Sequence, residues 1–181
     1  YNVTQTAPSH PIQSLYGYVV EGIFQDSAQI TKHATQAART GPGDLMFKDL
    51  NHDGVIDSKD ETYLGSFIPK YNYSFNLGAN YKNFGFSVFF AGVQGNKIYN
   101  ATRTATEGMI RFFNAGTRVL DAWTPSNTNT DVPRAIAADP NNNARSSTRF
   151  VEDGSYLRLK NIELSYNIPL TSLQSMSHGV V

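Results

Sequence analysis

The chain has 181 residues and a formal net charge of zero, with 15 Lys and Arg against 15 Asp and Glu. That balance gives no electrostatic argument for nucleic acid or an anionic membrane surface as partner. The absence of cysteine excludes a disulfide framework and a thiolate metal site. No run of about 18 apolar residues reads as a transmembrane helix. There is neither an initial Met nor a signal-peptide pattern, so the expectation is a processed product or a piece of something longer. Ten Tyr and eleven Phe among many Asn, Ser, Thr and Gly point to β structure with long polar loops.

Residues 1–13, with Pro8 and Pro11, read as irregular. Leu15 to Phe24 is rich in aromatic and β-branched residues and predicts a strand. Asp26 offers a helix N-cap with Gln29 as its capping-box partner, and the helix is expected to run to about Arg39, where Gly41-Pro42-Gly43 stops it. Pro69 marks the next boundary. Residues 71–81 then alternate cleanly: Tyr71, Tyr73, Phe75, Leu77, Ala79 and Tyr81 share one face, and Asn72, Ser74, Asn76, Gly78 and Asn80 the other. Period 2 over this length predicts a strand with one apolar and one wet face. Lys82-Asn83 is a minimal turn into a second strand, in which Phe84, Phe86, Val88 and Phe90 alternate with Gly85, Ser87, Phe89 and Ala91. A long excursion runs from Gly95 to Gly154. Within it, Thr104 and Glu107 suggest a capping box, and Met109, Ile110, Phe112, Phe113, Val119, Leu120 and Trp123 recur at helical spacing, with Gly116 as a weak point. Residues 124–148 read as loop. The last strand is Tyr156 to Ile168, ended by Pro169, with Ile162, Leu164 and Tyr166 on one face.

The segment from Asp49 to Asp60 carries the clearest chemistry. Oxygen side chains stand at loop positions 1, 3, 5, 9 and 12 (Asp49, Asn51, Asp53, Asp57, Asp60). This is the spacing of an EF-hand-type calcium loop, in which Val55 contributes its backbone carbonyl and Gly54 allows the sharp turn. Ile56 is the expected apolar anchor. Asp60 replaces the usual bidentate Glu with a shorter reach, so the expected affinity is modest and the role structural.

Other candidates are weaker. His10, His33, His52 and His178 are scattered and read as surface residues. Asp121, Trp123 and Asp131 could contact a sugar, but a lone Trp at helical spacing is more often a packing residue. Arg145, Arg149, Arg158 and Lys160 form a basic cluster whose plain role is to bind loop carbonyls and acidic neighbours. Glu21 and Glu163 are expected in a lumen or polar network, because a charge facing lipid is costly. No phosphate loop and no Ser-His-Asp order point to catalysis, so the chain reads as no enzyme.

Strands of about ten alternating residues suit a transmembrane β-barrel, where aromatic residues gather at both interfaces and turns are short on one side and long on the other. The contrast between Lys82-Asn83 and the long segments 25–70 and 95–155 fits that asymmetry. A soluble, calcium-stabilised β-sandwich that binds glycans or a protein partner would show the same alternation.

Several motifs resemble those of the SusC/RagA family of TonB-linked outer-membrane receptors. They are Gly17–Gln25, Pro42–Asp49 running into the calcium loop, Gly95–Asn100, Trp123-Thr124-Pro125, Pro133-Arg134-Ala135 and Arg149–Asn161. Their order and spacing also match, from about Leu15 to Pro169. The resemblance implies an all-β, antiparallel transmembrane barrel fragment, about four strands of a barrel of about 22, from a late portion of the receptor. The whole of 1–181 would then belong to one barrel domain, with 49–60 inside the extracellular loop 25–70 and with 95–155 a second extracellular loop containing short helices. It also implies a place in the outer membrane of Bacteroidetes and import of oligosaccharides or oligopeptides. A SusD-like surface lipoprotein would be the partner, and TonB would act through a part of the receptor outside this chain. The loop spacing also resembles dockerin repeats, but those carry two such loops and this chain has one.

Overall fold

The computed structural model describes residues 3–110 and 114–169. The chain divides into two compact units. The first comprises residues 1–68 and 97–153, and the second residues 69–96 and 154–181.

The second unit is one antiparallel sheet of three long strands: β6 (Tyr71–Tyr81), β7 (Phe84–Gln94) and β10 (Tyr156–Tyr166), in the order β10-β7-β6. The alternation of 71–81 maps onto β6 without a slip, and Lys82-Asn83 is the whole of the turn. Register places Phe75 opposite Phe90, Leu77 opposite Val88 and Tyr81 opposite Phe84. On the other side of β7, Leu164 faces Phe86 and Tyr166 faces Phe84. Phe75 and Phe90 stack at 4.7 Å, and Phe84 lies 4.7 Å from the Tyr166 ring. Such cross-strand pairs stabilise a sheet by roughly 0.2–1 kcal/mol each.

A β-bulge at Lys160 makes the apolar face continuous. Leu159 pairs with Phe90 and Asn161 with Phe89, so Lys160 is the extra residue. Before it, Leu157 and Leu159 are in phase with the apolar face. After it, Ile162, Leu164 and Tyr166 are. Without the extra residue the two halves of β10 would point their apolar side chains to opposite faces. Leu77, Ile162 and Leu164 are 60%, 59% and 72% exposed, and the unit holds no second layer among its described residues. Glu163 pairs with Ser87, so it stands on the wet face.

The first unit is built of small pieces. Strands β1 (Thr4–Gln5), β2 (Ser14–Gly17) and β5 (Thr62–Gly65) form one sheet, β3 (Val20–Ile23) pairs with β4 (Leu45–Phe47), and β8 (Lys97–Tyr99) pairs with β9 (Val151–Asp153). The strand expected over Leu15–Phe24 is therefore broken. At the break Tyr18 bridges to Ser147, and Gly17 approaches the Ser146 carbonyl so closely that a Cβ would overlap it. Strand β1 also lies within the segment expected to be irregular.

Helix α1 (Ser27–Lys32) starts as predicted, with the Asp26 carboxylate accepting from Gln29 N–H. The Gln29 side chain accepts from Gln25 N–H rather than from the cap residue. The helix stops at Lys32, well short of Arg39. Helix α2 is Ala101–Glu107, capped by the Asn100 side chain, which accepts from Arg103 N–H. The predicted start at Thr104 is thus a turn too late: Thr104 lies inside the helix. Gly108 ends it, and among the described residues two 3-10 turns, Thr117–Asp121 and Thr148–Phe150, follow. Phe112 and Phe113 lie outside the described residues.

The apolar centre of this unit is Tyr18, Leu45, Phe47 and Ile56, with Val20, Ile23 and Ala34 against it. Phe24, Val132 and Phe150 are also buried. No helix among the described residues is long and apolar enough to cross a membrane, which leaves strands untested.

Candidate functional site

The loop from Asp49 to Asp60 is folded around its own backbone donors. Asp49 accepts from His52 N–H at 2.7 Å and Gly54 N–H at 2.9 Å. The Asn51 side chain accepts from Asp53 N–H, and Asp53 from Val55 N–H, both at 3.0 Å. Asp57 caps the 3-10 turn Ser58–Asp60 by accepting from Lys59 N–H. Asp60 is fully buried and ties the loop shut, accepting from Leu50 N–H at 2.8 Å and Asp57 N–H at 2.9 Å. Gly54 takes φ +84, a conformation few side chains tolerate, so the glycine is required by the turn.

The rim is anchored as expected. Ile56 is buried in the apolar centre, and a parallel bridge joins Thr35 to Val55, with Thr35 N–H on the Gly54 carbonyl and Ile56 N–H on the Thr35 carbonyl, both 2.9 Å. The Val55 N–H holds the Asp53 carboxyl below its ordinary range, with help from the Asn51 amide and Lys59. Among the described residues no three His, Asp or Glu side chains converge closely enough to hold an ion. The donor set is chemically that of a hard-cation site. Its carboxylates, however, are turned onto loop N–H groups, and the Lys59 ammonium lies 3.6 Å from Asp53 and 3.9 Å from Asp57.

Beside this loop a cleft of about 440 Å³ is lined by Glu21, His33, Lys48, Asp49 and His52, among others. His33 is not the surface residue expected. Its side chain is 14% exposed, packs edge-on to Phe24 and lies 3.9 Å from Glu21. Glu21 is an exposed residue of this unit whose carboxylate approaches only the His33 ring among the described residues.

The motifs around Gly43, Trp123 and Arg134 meet in the same unit. Gly43, at φ +89, lies against Trp123 and Arg134, where a Cβ would overlap both. Its N–H donates to the Phe24 carbonyl, and its carbonyl accepts from Arg134 N–H. Asp44 is fully buried and grips Arg134 through two bonds, 2.9 Å from Nε and 2.7 Å from Nη2. Trp123 is buried and donates to the Gln25 side chain at 2.9 Å, so it serves packing. The segment around Asn141, expected as open loop, is buried because its amides satisfy backbone groups. Asn141 donates to the Leu45 carbonyl, and Asn143 accepts from Leu45 N–H. Asp139 accepts from Asn143 and Ala144 N–H, while burial raises its carboxyl above the usual range. Arg145 lies over the Tyr18 and Phe47 rings and donates to two loop carbonyls.

A second cluster centres on Glu107, buried at the end of α2. It accepts from Arg103 at 3.1 Å and from Arg149 at 2.6 Å, with Arg118 at 3.4 Å. Asp131 accepts from Arg118 and Arg103, and the Asp131 carbonyl from Arg149. Burial lowers the Arg149 guanidinium, and the neighbouring Arg103 cation adds to the effect. The four expected basic residues are divided between the two units. Arg145 and Arg149 belong to the first unit, Arg158 and Lys160 to the second. The Glu107 grip was missed from sequence; its only signal was the i, i+4 spacing to Arg103.

Three eleven-residue antiparallel strands with one apolar face are of the length from which outer-membrane β-barrels are built. No model of a known protein family matches the chain. TonB-dependent receptor P3 of Formosa agariphila is 36% identical over 158 residues, 87% of this chain and 15% of that receptor. TonB-dependent receptor P26 of the same organism is 37% identical over 140 residues, 72% of this chain and 13% of that receptor. The solved RagAB peptide transporter superposes with a TM-score of 0.65 at 25% identity, over 88% of this chain and 17% of that one. A second structure, the RagAB peptide importer in its open-open state, gives the same TM-score at 24% identity over 94% of this chain. The chain thus belongs with the TonB-dependent receptors, as the motifs implied, and spans about one-sixth of the length of the relatives it matches.

Proposed function

We propose that this chain is part of the barrel wall and extracellular loops of a SusC/RagA-type transporter. That transporter would import oligosaccharides or oligopeptides across the bacterial outer membrane. The observation that carries the reading is the three-stranded sheet. Eleven residues per strand give about 37 Å of length. At a tilt of about 45° they span about 26 Å, the height of the apolar band of such barrels. The face with Leu77, Phe86, Ile162 and Leu164 would meet lipid, and the face with Asn76, Ser87 and Glu163 the lumen. The sheet's two outer edges would be covered by neighbouring strands of the same receptor, because unpaired backbone is not tolerated in hydrocarbon.

In this reading 25–70 and 95–155 are extracellular and a SusD-like lipoprotein sits above them. TonB acts on a part of the receptor outside this chain, and no catalytic step is involved. Calcium would be held by Asp49, Asn51, Asp53, Asp57 and Asp60 with the Val55 carbonyl. When bound it would supply a rigid cross-link of the loop and no reaction.

The test is native extraction in mild detergent followed by mass spectrometry of the intact complex, with and without a calcium chelator. A large assembly of the whole receptor with a lipoprotein, losing calcium on chelation, is expected. A lone detergent-free species of about 20 kDa would overturn the transporter reading and favour a soluble β-sandwich module. An intact complex that loses no calcium would overturn the calcium assignment alone.

A further inference from the structure

A cleft of about 400 Å³ in the first unit is lined by Val20, Gly22 and Ile23 of β3 and by Thr130, Thr148 and Arg149, among others. Strand β3 pairs with β4 along one edge. The start of its other edge is already occupied by an extended segment. Tyr18 forms a parallel bridge with Ser147. Tyr18 N–H donates to the Ser146 carbonyl and Thr148 N–H to the Tyr18 carbonyl, both at 2.9 Å. Val20 N–H donates to Thr148 Oγ1 at 3.0 Å. At Thr148 this neighbour bends into the 3-10 turn Thr148–Phe150 and leaves the edge. The cleft begins where it leaves. Toward β4, Lys48 N–H donates to the Val19 carbonyl and Phe24 N–H to the Asp44 carbonyl. Backbone groups of a strand alternate between its edges, so those of Val20 and Ile23 face away from β4. The Ile23 carbonyl accepts from the Gln25 side chain. The Val20 carbonyl and the Ile23 N–H have no partner among the described residues.

We propose that the cleft takes an extended peptide, which continues the course of residues 146–148 along β3 and is held mainly by its backbone. The inference rests on the transporter reading above and chooses between its two classes of cargo. An open strand edge is a template for one more extended chain, and strand addition recognises main-chain groups that every peptide carries. A pyranose ring calls instead for an exposed aromatic face. No aromatic side chain lines the cleft, and the one Trp of the chain is buried against Gly43. The free edge is short, so few hydrogen bonds form and each adds little net affinity. Binding is therefore weak and tolerant of sequence, which suits a cargo that must be released.

The experiment is equilibrium binding to the full-length receptor in detergent with three probes. They are a fluorescein-labelled hexapeptide of alternating alanine and threonine, the same peptide N-methylated at every second residue, and a labelled glucan of six units. The wild type is compared with Thr130→Trp, which fills the cleft, and with Ala137→Trp, which lies in a different cleft of the same unit. The plain peptide should bind the wild type and Ala137→Trp alike, and Thr130→Trp at least about tenfold more weakly. The N-methylated peptide, which cannot complete the edge hydrogen bonds, should bind the wild type about tenfold more weakly than the plain one. That probe needs no altered receptor, so it decides the matter even if Thr130→Trp fails to fold. Equal affinity for the plain and methylated peptides, or no loss in folded Thr130→Trp, would overturn the proposal. So would binding of the glucan without the peptide, or a Thr130→Trp receptor that loses its lipoprotein and keeps the peptide. The transporter reading is decided separately, by the intact-complex measurement above.

Discussion

Deleting Lys160 tests whether the bulge sets the face that each half of β10 presents. In a regular ladder without it, one half of the strand must invert. If residues 161–166 turn, Ile162 and Leu164 leave the apolar face and Glu163 enters it. If residues 156–159 turn, Leu157 and Leu159 leave and Arg158 enters. Two aliphatic side chains are worth about 1.5–3 kcal/mol each, and a charge at mid-bilayer costs about 2–4 kcal/mol for Arg and less for Glu. Either route costs on the order of 5 kcal/mol, a large part of a domain's net stability. The assay is the fraction of full-length receptor that reaches the outer membrane folded, read by its heat-modifiable migration on gels. The deletion should lose most folded receptor, while Lys160→Ala, which keeps the extra residue, should match the wild type. Wild-type levels of folded deletion variant would refute the reasoning.

Arg134→Ala should leave Asp44 buried without its cation and destabilise the loop unit by about 3 kcal/mol, measured as a shift in chemical denaturation or faster proteolysis of residues 124–148. Gly43→Ala should cost more than about 1 kcal/mol, because the residue needs positive φ and its Cβ would overlap Trp123; a fall in thermal midpoint checks it. Burial raises the Asp139 carboxyl, so the folded state holds its proton to higher pH than the unfolded state. Stability from this group is therefore present below the unfolded pKa and lost as pH rises through the folded one. Relative to Asp139→Asn, the wild type should lose thermal stability as pH is raised from about 4.

The β6–β7 hairpin was fully legible because period 2 leaves no second solution for residues 71–84. The third strand was legible along its whole length, ending two residues earlier than expected, but its alternation was read only in the latter half. Its bulge was signalled by the change from odd-numbered Leu157 and Leu159 to even-numbered Ile162, Leu164 and Tyr166. Leu15–Phe24 reads as one strand because its residue types suit a strand throughout. It breaks at Tyr18, where the chain crosses the segment Ser146-Ser147, a contact no local pattern records. Thr104 and Glu107 have capping-box spacing, yet Asn100 caps the helix and Glu107 is committed to three arginines. Residues 139–147 look like open loop from their Asn content. Those amides are what lets the segment be buried, since they satisfy backbone groups that water would otherwise serve. The 49–60 loop was legible in its turn, its anchor Ile56 and the spacing of its oxygen donors. The inward engagement of those donors and the position of Lys59 depend on side-chain placement that spacing does not specify.

The most direct test of the central claim is a cysteine scan of positions 71–81 in the full-length receptor, in native outer membranes, with a water-soluble maleimide. The account predicts that Phe75→Cys, Leu77→Cys and Ala79→Cys resist labelling until the membrane is dissolved. Asn76→Cys and Asn80→Cys should label from the lumen side in the intact membrane. Equal labelling of both sets, unchanged by detergent, would contradict a lipid-facing sheet and with it the place of this chain in a barrel wall.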